Sequence, residues 1–320
     1  METILHFIIN PAAGNGKSLR AWRRIEPLLV NAGMPHAVHM TKSAGEAVGI
    51  CRRLAADAAA SGGDPTARDV VVVVGGDGTL REAALGLLDD GGGDESRNPP
   101  ALTFIPAGSG NDFARGHGIP SDPAEALSNL LEAVREGRTR RIDVIRACGG
   151  GAALSSYGAG LDAAVAVAVN RSPLKRLLGR FRLGRLAYAL LLIRVLFAYR
   201  PVDAALVVDG ERHVLRRIWL VSVSNIPSYG GGMKINPEAS PDDGLLDVCV
   251  VQNMTRLKLL AAFPLVYNGK HTSIAGVSFF RGSRIRLEAA SPLAMHADGE
   301  DDGLTPLDIR AEPRAIDIIV

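Results

Sequence analysis

Three times in the first 115 residues an apolar run ends in glycine and small polar residues, and a helical pattern follows at once. The stretches are "IINPAAGNGKS" (Ile8–Ser18), "VVVVGGDGTL" (Val71–Leu80) and "FIPAGSGNDFAR" (Phe104–Arg115). A strand that turns through glycine into a helix exposes backbone N–H groups and a helix N-terminus, and both attract anions, phosphate above all. Glycine keeps Cβ atoms out of the way and allows positive φ. Thr79 can cap its helix or donate to a phosphate oxygen, and Lys17 can reach a phosphate or stand solvated in a first helical turn. Asp77 is out of place in an anion site unless a cation accompanies the anion, as in a Mg²⁺-nucleotide. One such turn could equally be a tight helix-packing corner. Three on the same sheet edge read as a nucleotide cleft, because the C-terminal ends of parallel strands lie together. A P-loop needs glycine where Pro11 stands, and no GxGxxG fingerprint is present.

The elements that must position these turns alternate. "ILHFIIN", Val70–Val74 and Leu102–Pro106 are apolar at nearly every position, as strands buried on both faces are. Leu80, Ala83, Ala84, Leu87 and Leu88 form a one-sided helical stripe. Asp122 stands as N-cap before Pro123 at N1 and Glu125 at N3 of a helix carrying Leu127, Leu130, Leu131 and Val134. Pro27 interrupts the first helical pattern and predicts a kink or break. The alternation predicts a parallel α/β domain over residues 1–140. From about Ile142 short β-rich runs such as "RRIWLVSVSN" and "LLDVCVVQ" predict an antiparallel β-sandwich over 141–320, with a helical insertion near 173–199.

Bulk properties agree with that division. A chain of 320 residues exceeds what one core usually serves, about 250 residues. Its formal charge of +2 does not point to nucleic acid. Three scattered cysteines, Cys51, Cys148 and Cys249, make neither a disulfide framework nor a zinc ribbon and fit a reducing cytoplasm. The N-terminus lacks the features of a signal peptide. No uncharged apolar run approaches the ~18 residues of a spanning helix.

Taken in order, the three stretches resemble the diacylglycerol-kinase-type catalytic domain, and the chain is most similar to bacterial soluble lipid kinases of the diacylglycerol kinase / YegS-like group. Asn10-Pro11-Ala12-Ala13-Gly14, "GGDGT" at Gly75–Thr79 and "PAGSGNDFAR" at Pro106–Arg115 carry the resemblance. "SPDDGLLDV" (Ser240–Val248), "GKHT" (Gly269–Thr272) and "DGE" (Asp298–Glu300) extend it over nearly the whole chain. GGDGT by itself also occurs in NAD kinases. The fold so implied is an N-terminal parallel α/β sheet domain of NAD-kinase/diacylglycerol-kinase type with a C-terminal antiparallel β-sandwich.

The resemblance implies ATP bound between two domains, with nucleotide contacts from Asn10, Pro11, Ala12, Ala13, Gly14, Thr41, Gly75, Gly76, Asp77, Gly78, Thr79 and Ser109. Ser109 stands where the family more often has Thr and keeps the hydroxyl. A structural Mg²⁺ would sit on the Asp243 carboxylate and the backbone carbonyls of Ser240 and Leu245; a metal-free acidic turn is the alternative. Glu300 would accept the proton of the acceptor hydroxyl, supported by Asp298, while Asp77 and Asp112 are candidates for the nucleotide's Mg²⁺. The tripeptide alone proves nothing: "DGE" also occurs at Asp209–Glu211, where it reads as a hairpin.

The expected activity is an ATP- and Mg²⁺-dependent lipid kinase, diacylglycerol first, with NAD kinase and a non-catalytic nucleotide- or lipid-binding regulator as alternatives. Lys175, Arg176, Arg180, Arg182 and Arg185 lie among leucines. They could dock peripherally on an anionic membrane or form a solvated face of a packed helical arm. His271 and His296 read as structural. An apolar face in the β-rich half could pair two copies of the chain.

Overall fold

The computed structural model describes residues 3–60, 68–88, 99–171 and 192–320. The chain divides into two compact units, Met1–Val144 with Glu312–Val320, and Ile145–Ala311. It passes from the first to the second within strand β5 (Arg140–Ala147) and returns within the last strand. The C-terminal nine residues, which the sequence pattern assigns to the sandwich, therefore belong to the first unit. There Ile318 pairs with Leu102, the Thr103 hydroxyl donates to the Ile319 carbonyl at 2.6 Å, and Asp317 meets Arg68 at 2.7 Å. No local pattern in "AIDIIV" announces this return, because a buried strand looks alike in either sheet.

The first unit is a parallel sheet in the order β4-β3-β1-β2: Ala101–Pro106, Val70–Gly75, Leu5–Ile9 and His36–Met40. Every residue of β3 and β4 is buried, as expected for strands covered on both faces. One face packs on helices α1 (Lys17–Asn31) and α5 (Pro123–Arg135) through Phe7, Trp22, Ile25, Leu29, Leu127 and Leu130. The α2 (Glu46–Ala60) and α3 (Asp77–Leu87) helices pack on each other, and the short α4 (Asp112–His117) follows β4. Strand β2 carries no apolar run: "HAVHM" is half exposed, which suits the outermost position in this sheet and hides it from a hydrophobicity reading.

Asp122 forms the expected cap, its Oδ1 accepting from Ala124 N at 3.0 Å and Glu125 N at 3.2 Å. Of the kink or break that its sequence reading predicts, Pro27 does not make the break: α1 runs through it. Arg23, whose carbonyl loses its partner there, and Pro27 both lie on the exposed face. Water can satisfy the freed carbonyl while Trp22, Ile25 and Leu29 hold the helix to the sheet.

The second unit is an antiparallel β-sandwich. Its strands are β6 (Ala152–Ala153), β7 (Ser156–Gly160), β8 (Val202–Val208), β9 (Glu211–Ser224), β10 (Leu246–Gln252), β11 (Val277–Gly282), β12 (Arg284–Ala289), β13 (Ala294–Ala297), β14 (Glu300–Leu304) and the first part of β15 (Leu307–Ile318). The pairing path runs β14-β13-β7-β9-β8-β12-β15, and β10 adds to β9 and β11 to β10. Alternation divides β10 between two cores. Val248 and Val250 enter the sandwich with Val221, Val223 and Ile285. Cys249 and Val251 pack on Trp219, Met233 and helix α6 (Leu161–Arg171). Residues 192–198 are helical; the rest of the expected insertion, 172–191, lies outside the described residues and takes the basic stretch with it. No helix among the described residues is long and apolar enough to cross a membrane.

The α2–α3 contact rests on Gly86. A Cβ there would overlap the Val48 carbonyl oxygen and stand 2.7 Å from Cys51 Cβ. Gly86→Ala is expected to force the helices apart and cost about 1–3 kcal/mol. Urea unfolding followed by circular dichroism should show a lower midpoint with an unchanged slope.

Candidate functional site

The three glycine corners meet on one edge of the first unit. Ala107 N donates to the Gly75 carbonyl at 2.7 Å, so the corners after β3 and β4 are bonded directly. A Cβ on Gly108 would lie 2.6 Å from Gly76 Cα, and one on Gly14 would overlap the Ala107 carbonyl oxygen. Backbones this close exclude any side chain, and Gly14 also sits at φ 57°. The corner after β1 forms a single turn, Ala13–Asn15, with Asn15 and Gly16 likewise at positive φ.

Polar side chains lock the corners together. The Asn10 amide donates to Thr79 Oγ1 at 3.1 Å while its oxygen accepts from Ala12 N at 3.1 Å, linking the first corner to the second. Thr41, just beyond β2, donates both its N–H (2.9 Å) and its hydroxyl (3.4 Å) to the Ile9 carbonyl. Asp77 reaches from the second corner to the third: its carboxylate accepts from Asn111 N at 2.8 Å and Phe113 N at 3.2 Å. Its presence in an amide-rich edge is thus explained without a metal, by the need to satisfy the first N–H groups of α4. Thr79 is not the cap of α3. The helix starts at Asp77 with Gly76 as N-cap, so the Thr79 hydroxyl lies within the first turn and accepts from Asn10.

Beside the third corner lies a cavity of ≈ 330 Å³ whose lining includes Lys17, Arg20, Arg24, Gly108, Asn111 and Ser121. Arg24 is paired with Asp122 at 2.6 Å. Lys17 and Arg20 bring two more positive charges to the same face of α1, which favours a polyanion on this edge. Asp112 pairs with Arg115 at 2.7 Å. A Cβ on Gly110 would stand 3.1 Å from Asp77 Oδ2 and 3.2 Å from Asp112 Oδ2, so both carboxylates border that glycine.

In the second unit, Asp298 and Gly299 are the central residues of a two-residue hairpin joining β13 to β14, with Ala297 opposite Glu300. Their φ values, 49° and 82°, are those of a type I′ turn. The Asp298 carboxylate accepts from Leu154 N (2.9 Å), Ser155 N (2.8 Å) and Ser156 N (3.0 Å). Asp298 is therefore an anchor of the turn that leads into Glu300. Glu300 is exposed, and no hydrogen bond or ion pair to its carboxylate occurs among the described residues.

The other "DGE" repeats the backbone and not the setting. Asp209 (φ 47°) and Gly210 (φ 91°) make the same kind of turn between β8 and β9, and Asp209 accepts from Ser283 N, Ser283 Oγ and Arg284 N. Hydrogen bonding by those amides holds its carboxyl below the ordinary range against the opposing effect of burial, which is the largest single influence. Glu211, in contrast to Glu300, faces His213 at 3.6 Å.

In the turn expected to hold a metal, the Asp243 carboxylate has partners within the chain. Asp243 Oδ1 accepts from Leu245 N at 3.0 Å, and its Oδ2 is bound by the Arg281 guanidinium. Ser240 Oγ donates to Asp242 at 2.9 Å. Arg281 Nε also faces Asp247 at 3.7 Å, a buried carboxyl that desolvation pushes up, Arg281 pulls partly back, and Asp243 and Glu238 raise further. Among the described residues no group of three or more His, Cys, Asp or Glu side chains is arranged to hold a metal. Sequence reasoning passed over Arg281, since a lone arginine on a strand carries no motif. It also read His296 as structural, and the ring proves to touch the Glu300 turn.

Known proteins resemble this chain in both sequence and structure. Residues 4–147 match the family model described as the diacylglycerol kinase catalytic domain, and 155–320 match the YegS C-terminal NAD kinase beta sandwich-like domain. YtlR of Bacillus subtilis (strain 168), provisionally named a lipid kinase, is 30% identical over 321 residues, covering 98% of each chain. The diacylglycerol kinase of Mycobacterium tuberculosis (strain CDC 1551 / Oshkosh) is 31% identical over 316 residues, covering 98% of this chain and 93% of that one. A Bacillus anthracis crystal structure, provisionally titled a diacylglycerol kinase, superimposes with a TM-score of 0.75 at 27% identity, over 99% of this chain and 97% of that one.

If the anchor and the free carboxylate are distinct, their removal separates in stability. Asp298→Ala strands three backbone donors and is expected to cost about 3 kcal/mol. Glu300→Ala should stay within about 0.5 kcal/mol of wild type. Chemical denaturation of the two variants side by side checks this.

Proposed function

The chain belongs to the family of lipid kinases built on a diacylglycerol kinase catalytic domain, and on that premise we propose that it transfers the γ-phosphoryl group of ATP to the hydroxyl of a membrane lipid, diacylglycerol before others, giving phosphatidic acid. The observation that carries the reading is the meeting of three amide-rich corners on one edge of the parallel sheet, flanked by Lys17 and Arg20. Such an edge suits a triphosphate, because fixed N–H dipoles and helix N-termini stabilise negative charge without reorganising.

In the transfer the lipid hydroxyl oxygen forms a bond to the γ-phosphorus while the bond from that phosphorus to the bridging oxygen breaks, and ADP leaves. Glu300 takes the hydroxyl proton as that bond forms. Its exposed carboxylate, free of protein partners among the described residues, is available to accept it. Asn10, Thr79 and Asp77 keep the corners fixed, so that the phosphates meet donors already in place. Ser109, at the tip of the third corner, adds a hydroxyl to the edge.

Magnesium bound with ATP would offset the negative charge of the phosphates. Asp77 and Asp112 bring hard carboxylate oxygens beside Gly110, a donor type that fits Mg²⁺. Asp243 accepts from Leu245 N and is paired with Arg281, as Asp112 is with Arg115. No step is assigned to a metal at Ser240, Asp243 and Leu245. The basic residues Lys175 to Arg185, outside the described residues, are proposed to bring the enzyme to an anionic bilayer.

Two measurements test the reading. Incubating the protein with radiolabelled ATP, Mg²⁺ and a total lipid extract should yield labelled phosphatidic acid, identified by mass spectrometry. Glu300→Gln should reduce kcat by about 10²–10⁴-fold with unchanged stability. Phosphorylated NAD with no lipid product would overturn the assignment. Sedimentation with liposomes should show binding that rises with the anionic lipid fraction. Equal binding to neutral and anionic vesicles removes the electrostatic part of the membrane proposal.

A further inference from the structure

Behind the Glu300 turn a chain of buried polar groups runs through the second unit. Tyr229 OH donates to Asp162 Oδ2 at 2.9 Å, and the same oxygen lies 3.3 Å from His296 Nε2. On the other side of the ring, Gly299 N donates to His296 Nδ1 at 3.3 Å. His296 is 2% exposed. Room for the ring and the carboxylate comes from Gly158 on β7, where a Cβ would overlap both His296 Nε2 and Asp162 Oδ2.

These contacts determine the tautomer. If Nδ1 accepts from Gly299, the ring proton sits on Nε2, where it is donated to Asp162. Tyr229 stays a donor, because burial first and the Asp162 charge second push its phenol well above the ordinary range. Burying a carboxylate, a phenol and an imidazole is costly unless each is hydrogen-bonded. An apolar residue at 296 would fill the same space without directing anything. What the imidazole adds is an acceptor aimed at the peptide that leads into Glu300.

We infer that His296 is a positioning residue: seated by Asp162, its ring holds the Gly299 amide and thereby sets the direction in which Glu300 leaves the turn. The inference rests on the reading of Glu300 as the proton acceptor. Asp298 clamps one end of the two-residue turn to Leu154, Ser155 and Ser156, and His296 clamps the other. The carboxylate itself is left unbonded by either clamp. A misplacement of about 1 Å in a reacting group can cost on the order of 10²-fold in rate, so a turn held only at Asp298 would lose turnover without losing nucleotide binding.

Paired variants separate positioning from packing. His296→Asn places an amide oxygen where Nδ1 stands and can still accept from Gly299, whereas His296→Gln reaches toward Asp162 instead. The expected result is kcat within about 3-fold of wild type for His296→Asn and a loss of about 10–100-fold for His296→Gln, with KM for ATP within about 2-fold in both. Equal losses in the two variants, or a loss that appears in KM alone, overturn the inference. ¹⁵N NMR of the imidazole in the wild-type protein needs no variant to fold: an Nε2–H tautomer is expected, and an Nδ1–H tautomer overturns it. Wild-type protein that phosphorylates no lipid refutes the functional reading and leaves the tautomer test standing.

Discussion

Asp77 holds two backbone amides of the neighbouring corner, and the joining of the glycine corners depends on that grip. The first N–H groups of a helix have no intrahelical partners, and α4 is only six residues long, too short to be stable without outside support. By bonding Asn111 N and Phe113 N, Asp77 makes the start of α4 a continuation of the corner after β3. Asn10 does the reverse across the other side, giving its amide to Thr79 and its oxygen to Ala12. Three separate turns thus become one rigid surface. The negative charge needed for the lock is met by the amides that Asp77 accepts from, Asn111 N and Phe113 N. An anion can then approach an edge that contains an aspartate.

The two "DGE" turns show how little a tripeptide determines. Both place Asp at positive φ, both end a β-strand in a two-residue turn, and both use the carboxylate to collect amides from a neighbouring segment. Only their environments differ. Asp209 is tied to the start of β12 and Glu211 faces a half-buried histidine, whereas Asp298 is tied to the chain entering β7 and Gly299 leans on a buried ring. What distinguishes Glu300 therefore lies behind its turn, and that is a property of the sheet order β14-β13-β7.

That distinction also explains what could be read from the sequence. The parallel sheet was legible because β3 and β4 are apolar at nearly every position, and the corners because glycine is needed where backbones touch, as at Gly108. The Asp122 cap was legible because capping is local. Contacts between residues distant along the chain were not. Asp77 binding Asn111, Arg281 binding Asp243, and Asp162 seating His296 join positions 34, 38 and 134 apart, and no spacing rule relates them. Strand β2 was missed for an energetic reason: an edge strand needs less apolar surface than a central one. Pro27 misled because a proline on an exposed helical face leaves its orphaned carbonyl to water, a cost that the buried face outweighs.

A proton acceptor has two requirements that oppose each other. Its oxygens must be free, since a carboxylate already bound to strong donors is a poor base, and its position must be held, since a freely moving side chain loses the advantage of proximity. Hydrogen bonds to the carboxylate would meet the second need by defeating the first. The fold of the second unit avoids the conflict by placing every restraint on the backbone before Glu300. Asp298 anchors the turn by three amides and His296 receives a fourth, so the residue that enters β14 inherits a direction and spends none of its own oxygens on it. Buried polar groups of this kind would be a net cost in a sandwich whose only task was to stay folded. Their presence behind an otherwise unsupported carboxylate is what the proton-accepting role proposed for Glu300 would require.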